Sequence, residues 1–430
     1  MRWVYDYVVV GAGIVGLASA YHIARMDRGS SILIIDKMDY VGAGDTSKSA
    51  SAFRAAFTNR VNLLLAKGSI SFYEAVQSRG FNLNMIKVGY LFAVDGAMEA
   101  HVRRGVELAE KEGVSVEEVP PERLERDLGM RTHVSDLEES RMVGAGDVIK
   151  GYLFKDAGIM DADKVVDYYY RSLRDMGVEF ALGVPVKEFV LRPRRPLGIE
   201  GEPFPWEDAR VDGVRLADGR ELRARKKVIA ALGAWSGQLL NPIGVDSYSR
   251  PKKRQLFSVR ADTPELKRLL YSEGFSPHKS MPFVILPKKA YIRPNPLEGA
   301  LWLGMSDELG RPFALEEQPA AEDRYYTYGI LPVVSLYFPQ LQDKYPSAMW
   351  AGHYDVSFDG MPVVYEPYGS DLIVAAGTSG SGIMKGDSIG RVVAGLALGM
   401  DYVELGDGSQ FKVSWLGLES RPSEEELLVL

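Results

Sequence analysis

Three glycines at fixed spacing, Gly11, Gly13 and Gly16, carry the first chemistry readable in this chain. They follow the apolar run Tyr7-Val8-Val9-Val10, enclose Ile14 and Val15, and precede a second apolar run, Ser31-Ile32-Leu33-Ile34-Ile35, that ends on Asp36. A GxGxxG turn between two buried strands, closed by an acid about twenty residues on, is a cradle for phosphate and ribose. Gly11 lets the strand turn sharply, Gly13 lets a pyrophosphate approach the backbone, and Gly16 lets the following helix pack on the sheet. Phosphates then meet unpaired N–H groups at a helix N-terminus, where the macrodipole favours negative charge. Asp36 is placed to accept from a ribose diol, and no arginine follows at once to favour a 2′-phosphate. The unit predicts dinucleotide binding.

Other segments carry related signals. Gly44 to Arg54 is dense in small hydroxyl residues, which allow close backbone approach and supply hydrogen bonds. The apolar run Lys227 to Leu232 ends on Gly233-Ala234-Trp235-Ser236, and Asp371 to Ala376 ends on Gly377-Thr378-Ser379-Gly380-Ser381-Gly382 before a helical pattern from Met384 to Leu398. Each puts a small-residue turn at the carboxyl end of a buried strand, the end that faces ligands in parallel sheets.

Composition excludes several alternatives. Cysteine is absent, so disulfides, redox dithiols and thiolate-ligated iron–sulfur clusters are ruled out, and redox work falls to a bound cofactor. The histidines His22, His101, His133, His278 and His353 lack metal-site spacing, so no metal is expected. A formal net charge of −7 argues against nucleic acid as a partner. No secretory leader is expected before a strand that begins almost at Met1 and carries Asp6, and no apolar stretch is long enough to span a bilayer. A cytoplasmic protein is expected, with a peripheral contact to the inner face of a membrane or to a subunit left open, as is the oligomeric state.

These residues need elements to position them. At 430 residues, two domains are expected. Helical periodicity covers Asn62 to Gln77 and Met98 to Lys111, with a strand at Val88 to Val94 between them. Asp161 is a candidate N-cap of a helix to Met176, Gly177 its stop, and Val211 to Arg225 reads as a hairpin around Asp218-Gly219. From Ser249 to Tyr345 the chain is strand-rich and aromatic. The expected fold class is α/β: a Rossmann-like domain with a mostly parallel sheet (1–80, 146–248, 350–405) and an α+β substrate domain on a largely antiparallel sheet (81–145, 249–349). Residues 406–430 form a C-terminal tail, whose apolar Leu427 to Leu430 is expected either to fray or to dock on the body or a partner.

Three blocks together resemble the D-amino-acid oxidase superfamily of FAD enzymes, which includes glycine oxidase, monomeric sarcosine oxidase and dye-linked L-proline dehydrogenases. They are the GxGxxG unit with Asp36 and the Thr46 to Arg54 loop, then Ala231 to Ser236, then Asp359-Gly360-Met361-Pro362 through Gly377 to Lys385. Elsewhere only Pro251-Lys252-Lys253-Arg254-Gln255 and Tyr291-Ile292-Arg293-Pro294 match beyond general texture. The resemblance implies non-covalent FAD. Gly11, Gly13, Ile14, Val15 and Gly16 would hold its pyrophosphate, and Asp36 and Lys37 the adenosine ribose end. Thr46, Ser47, Lys48, Ser49, Ala50, Ser51 and Arg54 would lie along phosphates and flavin, with Val186 at the adenine. Ala231, Gly233, Trp235 and Gly377 would complete the cofactor wall, while Gly380, Ser381, Gly382, Ile383, Met384 and Lys385 would surround the pyrimidine end of the flavin. The family usually has glycine where Ser51 stands and often histidine near Ser381.

The resemblance also implies the reaction: hydride passes from the carbon bearing nitrogen to flavin N5, leaving an imine. Negative charge building at the flavin N1 to C2=O edge would be met by Lys385 and the N–H groups of the helix beginning near Met384. Arg293 is the first expected clamp for a substrate carboxylate and Arg54 the second, because arginine presents a planar fork of donors. Tyr291 and Tyr354 are expected pocket walls, and no catalytic base is evident. A secondary amino acid such as L-proline or sarcosine is the expected substrate, with a dye-like compound, quinone or oxygen as acceptor. The alternatives are a flavin-dependent glycerol-3-phosphate dehydrogenase and a flavin-bearing subunit without turnover. A nicotinamide enzyme fits less well, because ligand-facing glycine turns recur at both ends of the chain.

Overall fold

The computed structural model describes residues 2–307, 309–424 and 426–428. Its chain begins with strand β1 (Val4–Val10), helix α1 (Ile14–Met26), strand β2 (Ile32–Ile35) and helix α2 (Arg60–Ser78). It crosses to a second sheet for β3 (Tyr90–Val94) and β4 (Lys150–Phe154), then returns for α3 (Ala162–Asp175), β5 (Glu179–Ala181), β6 (Val186–Pro193), β7 (Ala209–Leu216) and β8 (Glu221–Ala230). A second crossing builds β9 (Ser249–Arg260), β10 (Phe283–Ile285), β11 (Ala290–Asn295), β12 (Ala300–Met305) and β13 (Ala348–Ser357). The chain returns again for β14 (Val363–Tyr365), β15 (Leu372–Ala376) and helix α4 (Gly382–Ala397).

The first sheet has the order β14-β15-β8-β1-β2-β5, with the β6–β7 hairpin added on β8. β1 is parallel to both β8 and β2, in register Val10↔Ala230 and Val10↔Ile35, and β8 is parallel to β15 at Ala230↔Val374. Four buried strands thus end side by side, and the turns after them converge on one edge, the ligand edge of an open α/β sheet. The second sheet, β13-β9-β12-β11-β10-β3-β4 and then Val116–Val119, is antiparallel except where β10 meets β3.

The boundaries expected at 146 and 350 differ from strand membership. β4, expected in the first domain, pairs with β3, and all of β13 beyond 350, Ala351 to Ser357, pairs with β9, both in the second sheet. Ladder partners far apart in sequence decide this, and short-range patterning does not report them. Asp161 caps α3 as expected, accepting from the N–H groups of Asp163 and Lys164, and Gly177 follows with φ +80°. No described helix is long and apolar enough to cross a membrane.

Helices α1, α2 and α4 pack beneath the first sheet. α1 and α4 cross so closely that a Cβ on Gly390 would come within 2.5 Å of the Ala18 carbonyl carbon. This layer encloses a polar knot. The fully buried Asp387 of α4 pairs with His22 Nε2 of α1 (2.7 Å) and accepts from Tyr169 Oη of α3 (2.9 Å) and Arg391 Nε (2.7 Å). Removing Asp387 leaves Arg391 without its counter-charge and the His22 and Tyr169 side chains without their partner, and breaking a buried pair typically costs about 3–5 kcal/mol. Asp387→Ala is therefore expected to lower unfolding free energy by about that amount, read from denaturant midpoints. A change below 1 kcal/mol, of the order of a surface substitution, would show that the knot contributes little.

Candidate active site

The convergent turns open onto a cavity of about 250 Å³ between the two sheets. Of the residues singled out from sequence, Gly11, Gly13, Ile14, Val15, Asp36, Lys37, Thr46, Lys48, Ser49, Ala50, Val186, Ala231, Gly233, Trp235, Gly380, Gly382 and Ile383 line it. Gly16, Ser47 and Gly377 do not, and their roles are internal. A Cβ on Gly16 would sit 1.9 Å from the Gly11 carbonyl oxygen, and Ser47 Oγ donates to the Gly42 carbonyl. Gly377 has φ +71° and donates its N–H to Asp355 of β13 (2.7 Å), which also accepts from Thr378 Oγ1 (2.6 Å). The Asp36 carboxylate accepts the N–H of Ala12 (2.6 Å) and of Met38 (2.8 Å), so it also ties the glycine turn to β2.

A smaller chamber of about 50 Å³ adjoins this cavity and shares Ser49, Ala50, Tyr291, Tyr354, Gly380 and Ile383 with it. Its walls are aromatic: Tyr90 stacks on Phe283 at 4.4 Å, and Phe283 lies 5.4 Å from Tyr291. Arg54 is the one charged side chain lining it among the described residues. Its guanidinium lies 4.6 Å from the Phe57 ring centre and 5.4 Å from that of Tyr90. Burial raises the phenol pKa of Tyr90, Tyr291 and Tyr354, so these side chains remain neutral. Ser51, Ser381 and Met384 line this chamber rather than the larger cavity. Ser51 has φ +51°, in the left-handed region that favours glycine.

Two expected roles change. Arg293 lines neither space. Its fork is spent on carbonyl oxygens, Nε to Ala50 (2.7 Å), NH1 to Pro294 (3.1 Å) and NH2 to Met160 (3.2 Å), and it lies 4.1 Å above Trp302. Burial pulls its pKa down to about 10. It fastens the hydroxyl-rich loop to the second sheet. Lys385 also lines neither space; its Nζ donates to Asn62 Oδ1 of α2 (2.7 Å) and lies 4.3 Å from the Phe57 ring centre.

The C-terminal segment docks beside Arg54. Glu426 accepts from Thr58 N (3.1 Å), Asn59 N (3.2 Å) and Asn62 Nδ2 (3.2 Å), an anion at the start of α2. Leu427 N donates to Thr58 Oγ1, and the buried Leu428 offers its carbonyl to Arg54 NH2 (2.5 Å). Docking on the body thus holds for Leu427 and Leu428, whereas Val429 and Leu430 lie outside the described residues. Sequence reasoning missed Phe57, Asn62, Tyr90, Phe283 and Glu426. None belongs to a motif, and only the fold brings them together.

The cavity also contains unmet donors. Arg254 Nε, Gln255 Nε2 and His353 Nδ1 are buried and have no hydrogen-bond partner among the described residues, and all three side chains line the larger cavity. His353 Nε2 accepts the Glu316 N–H (3.2 Å), so Nδ1 is the donor nitrogen, and the nearby Asp45 Oδ1 stands 3.6 Å from it, beyond hydrogen-bond distance. Buried donors without partners are costly, so these call for an acceptor-rich ligand. Glu317 reaches across the mouth to Lys37 (2.6 Å), Trp235 Nε1 (3.0 Å) and Gln238 (2.8 Å).

A family model described as FAD dependent oxidoreductase, DAO, matches residues 6–396. The chain belongs to this family. The DAO enzyme is 24% identical over 411 residues to the FAD-dependent oxidoreductase domain-containing protein 1 of Bos taurus, covering 91% of this chain and 81% of that protein. It is 23% identical over 409 residues to a glycine oxidase of Bacillus licheniformis, covering 93% and 94%. Among solved structures it resembles L-proline dehydrogenase from P. horikoshii, with TM-score 0.74, 21% identity and 97% of each chain covered. Glycine oxidase from Geobacillus kaustophilus gives TM-score 0.74 at 19% identity, over 98% of this chain and all of that one (100%). The lining fits FAD: glycine turns after parallel strands and buried donors without partners among the described residues suit phosphate, hydroxyl and ring acceptors.

Burial of Lys385 has a pH consequence. Desolvation, opposed by Glu426 and assisted by Arg54, pulls its pKa from 10.5 to about 7. Between those values the unfolded chain keeps a proton that the native enzyme has released, so this group makes native stability rise with pH across that window. Lys385→Met is expected to melt higher relative to wild type below pH 7, with the gap closing toward pH 10.5. A pH-independent gap in thermal unfolding would refute the assignment.

Proposed function

We propose that this DAO enzyme oxidises the C–N bond of a small secondary amino acid, L-proline or sarcosine in type, using non-covalent FAD and an external electron acceptor. The carrying observation is the small aromatic chamber with Arg54 as its single charged group, set against the larger cavity. The chamber is small beside the larger cavity and, among the described residues, carries one guanidinium, which suits a small substrate with one carboxylate. In this reading Gly11, Gly13 and the first N–H groups of α1 hold the FAD pyrophosphate, with Asp36 at the adenosine ribose and the Gly380 to Ile383 turn at the flavin. FAD, when bound, supplies the hydride acceptor.

The chain's own residues do the rest. Arg54 attracts the carboxylate by its charge, and the Ala56 and Leu428 carbonyls that accept from NH1 and NH2, with the Phe57 and Tyr90 rings, fix the guanidinium. Phe283, Tyr291 and Tyr354 exclude water from the reacting carbon. No carboxylate, histidine or lysine lines the chamber among the described residues, so in this reading an amine that reacts in its neutral form sheds its proton before it enters.

Anaerobic addition of a substrate panel while following oxidised-flavin absorbance tests the reading. Bleaching by proline or sarcosine is expected. Bleaching by glycerol 3-phosphate alone, or by nothing in the panel, would overturn it. Arg54→Met is expected to raise KM for the amino acid by about tenfold or more, the loss of a charge-assisted hydrogen bond, with FAD content retained. Acid denaturation is expected to release all flavin from the protein, and retained colour would contradict non-covalent binding.

A further inference from the structure

We propose that Arg254, contributed by the second sheet, is the charged donor that faces the bound flavin and raises its electron affinity. This rests on FAD in the larger cavity and is independent of which substrate fills the smaller chamber.

The expected cation for that task, Lys385, is turned onto Asn62 and lines neither space, and Arg293 is consumed by three carbonyls. Among the other cations of the larger cavity, Lys37 is engaged by Glu317 and Lys48 runs along Gly352. Arg254 is placed differently. It lies on β9 opposite Gly352 of β13, with its guanidinium 5.2 Å from the Tyr354 ring centre. That ring in turn packs on Gly380, where a Cβ would meet it at 2.2 Å. The stack Arg254, Tyr354, Gly380 therefore marks the end of the cavity that adjoins the substrate chamber. Arg54 lines only the smaller chamber and Arg254 only the larger cavity, so the two guanidiniums are divided between substrate and cofactor.

Arg254 is held from behind. NH1 donates to Asp307 Oδ1 (2.7 Å) and NH2 to Ser306 Oγ (3.2 Å), while Nε is buried with no partner among the described residues. NH1 also donates to the Lys253 carbonyl (3.3 Å), so three hydrogen bonds anchor the terminal nitrogens and Nε is left for a ligand. Gln255 and His353, also with unmet donors, stand beside it on the paired strands β9 and β13. A fixed positive group in a desolvated site favours a form of the ligand that carries more negative charge, here the reduced flavin.

The test reads the midpoint potential of the substrate-free holoenzyme against a reference dye, by flavin absorbance. In Arg254→Met the ratio of reduced to oxidised flavin at a fixed dye poise is expected to fall about tenfold or more, which for a two-electron couple is about 30 mV. Arg254→Lys is expected to recover part of the loss. Asp307→Asn, which leaves the guanidinium in place but removes its counter-charge, is expected to shift the ratio the opposite way. Unchanged potentials in all three variants, or shifts of one sign in Arg254→Met and Asp307→Asn alike, would overturn the proposal. If Arg254→Met fails to hold FAD, the lysine and asparagine variants decide. A wild-type protein that purifies with FAD but is bleached by no amino acid would defeat the substrate reading and leave this one standing.

Discussion

The backbone of Gly11 lies so close to β8 that a Cβ added there would stand 2.1 Å from the Ala231 carbonyl oxygen, and its φ is +110°. Any side chain would push β1 away from β8, and with it the alignment of the turns after β1, β8 and β15. The glycine serves two purposes: a turn no other residue makes easily, and a contact no other residue permits. Because β2, β1, β8 and β15 are parallel and in register, fixing this one contact places Asp36, Gly233 and the Gly377 to Gly382 turn around one elongated space.

The second sheet completes that space, and it does so with buried charge. Three arginines have different surroundings: Arg293 gives all three nitrogens to carbonyls and lines neither space, Arg54 lines the small chamber among aromatic faces while its NH1 and NH2 hold the Ala56 and Leu428 carbonyls, and Arg254 is anchored by Asp307 with its Nε left over. A guanidinium cannot shed its charge at working pH, so its partners decide whether it is structural or available to a ligand. Lys385 takes the other route open to a buried cation, a lowered pKa.

The chain crosses between sheets four times, and the crossings account for the cavity's mixed lining. Loop and strand are fastened across the gap by short contacts: Trp350 Nε1 to the Lys48 carbonyl (3.0 Å), His353 N to Asp45 (2.8 Å) and Glu317 to Lys37 (2.6 Å). An elongated ligand between the sheets therefore touches both domains along its length, which is why the second domain's unmet donors bear on cofactor chemistry as well as on substrate.

The sequence by itself determined the α/β class, the glycine turn with its acid and the absence of cysteine chemistry, because these depend on local backbone freedom, hydrophobic period and composition. It also marked the parts of the cavity wall that are turns after buried strands, at Gly11 to Val15, Ala231 to Trp235 and Gly380 to Ile383, whereas the wall contributed by strands of the second sheet carries no such local signal. Only the tertiary structure decided that β4 and β13 belong to the second sheet, that Arg54 rather than Arg293 lines the small chamber, and that Lys385 faces Asn62. Those outcomes depend on partners up to hundreds of residues distant, such as the Leu428 carbonyl on Arg54, and a long cation's direction is set by the acceptors within its reach after folding.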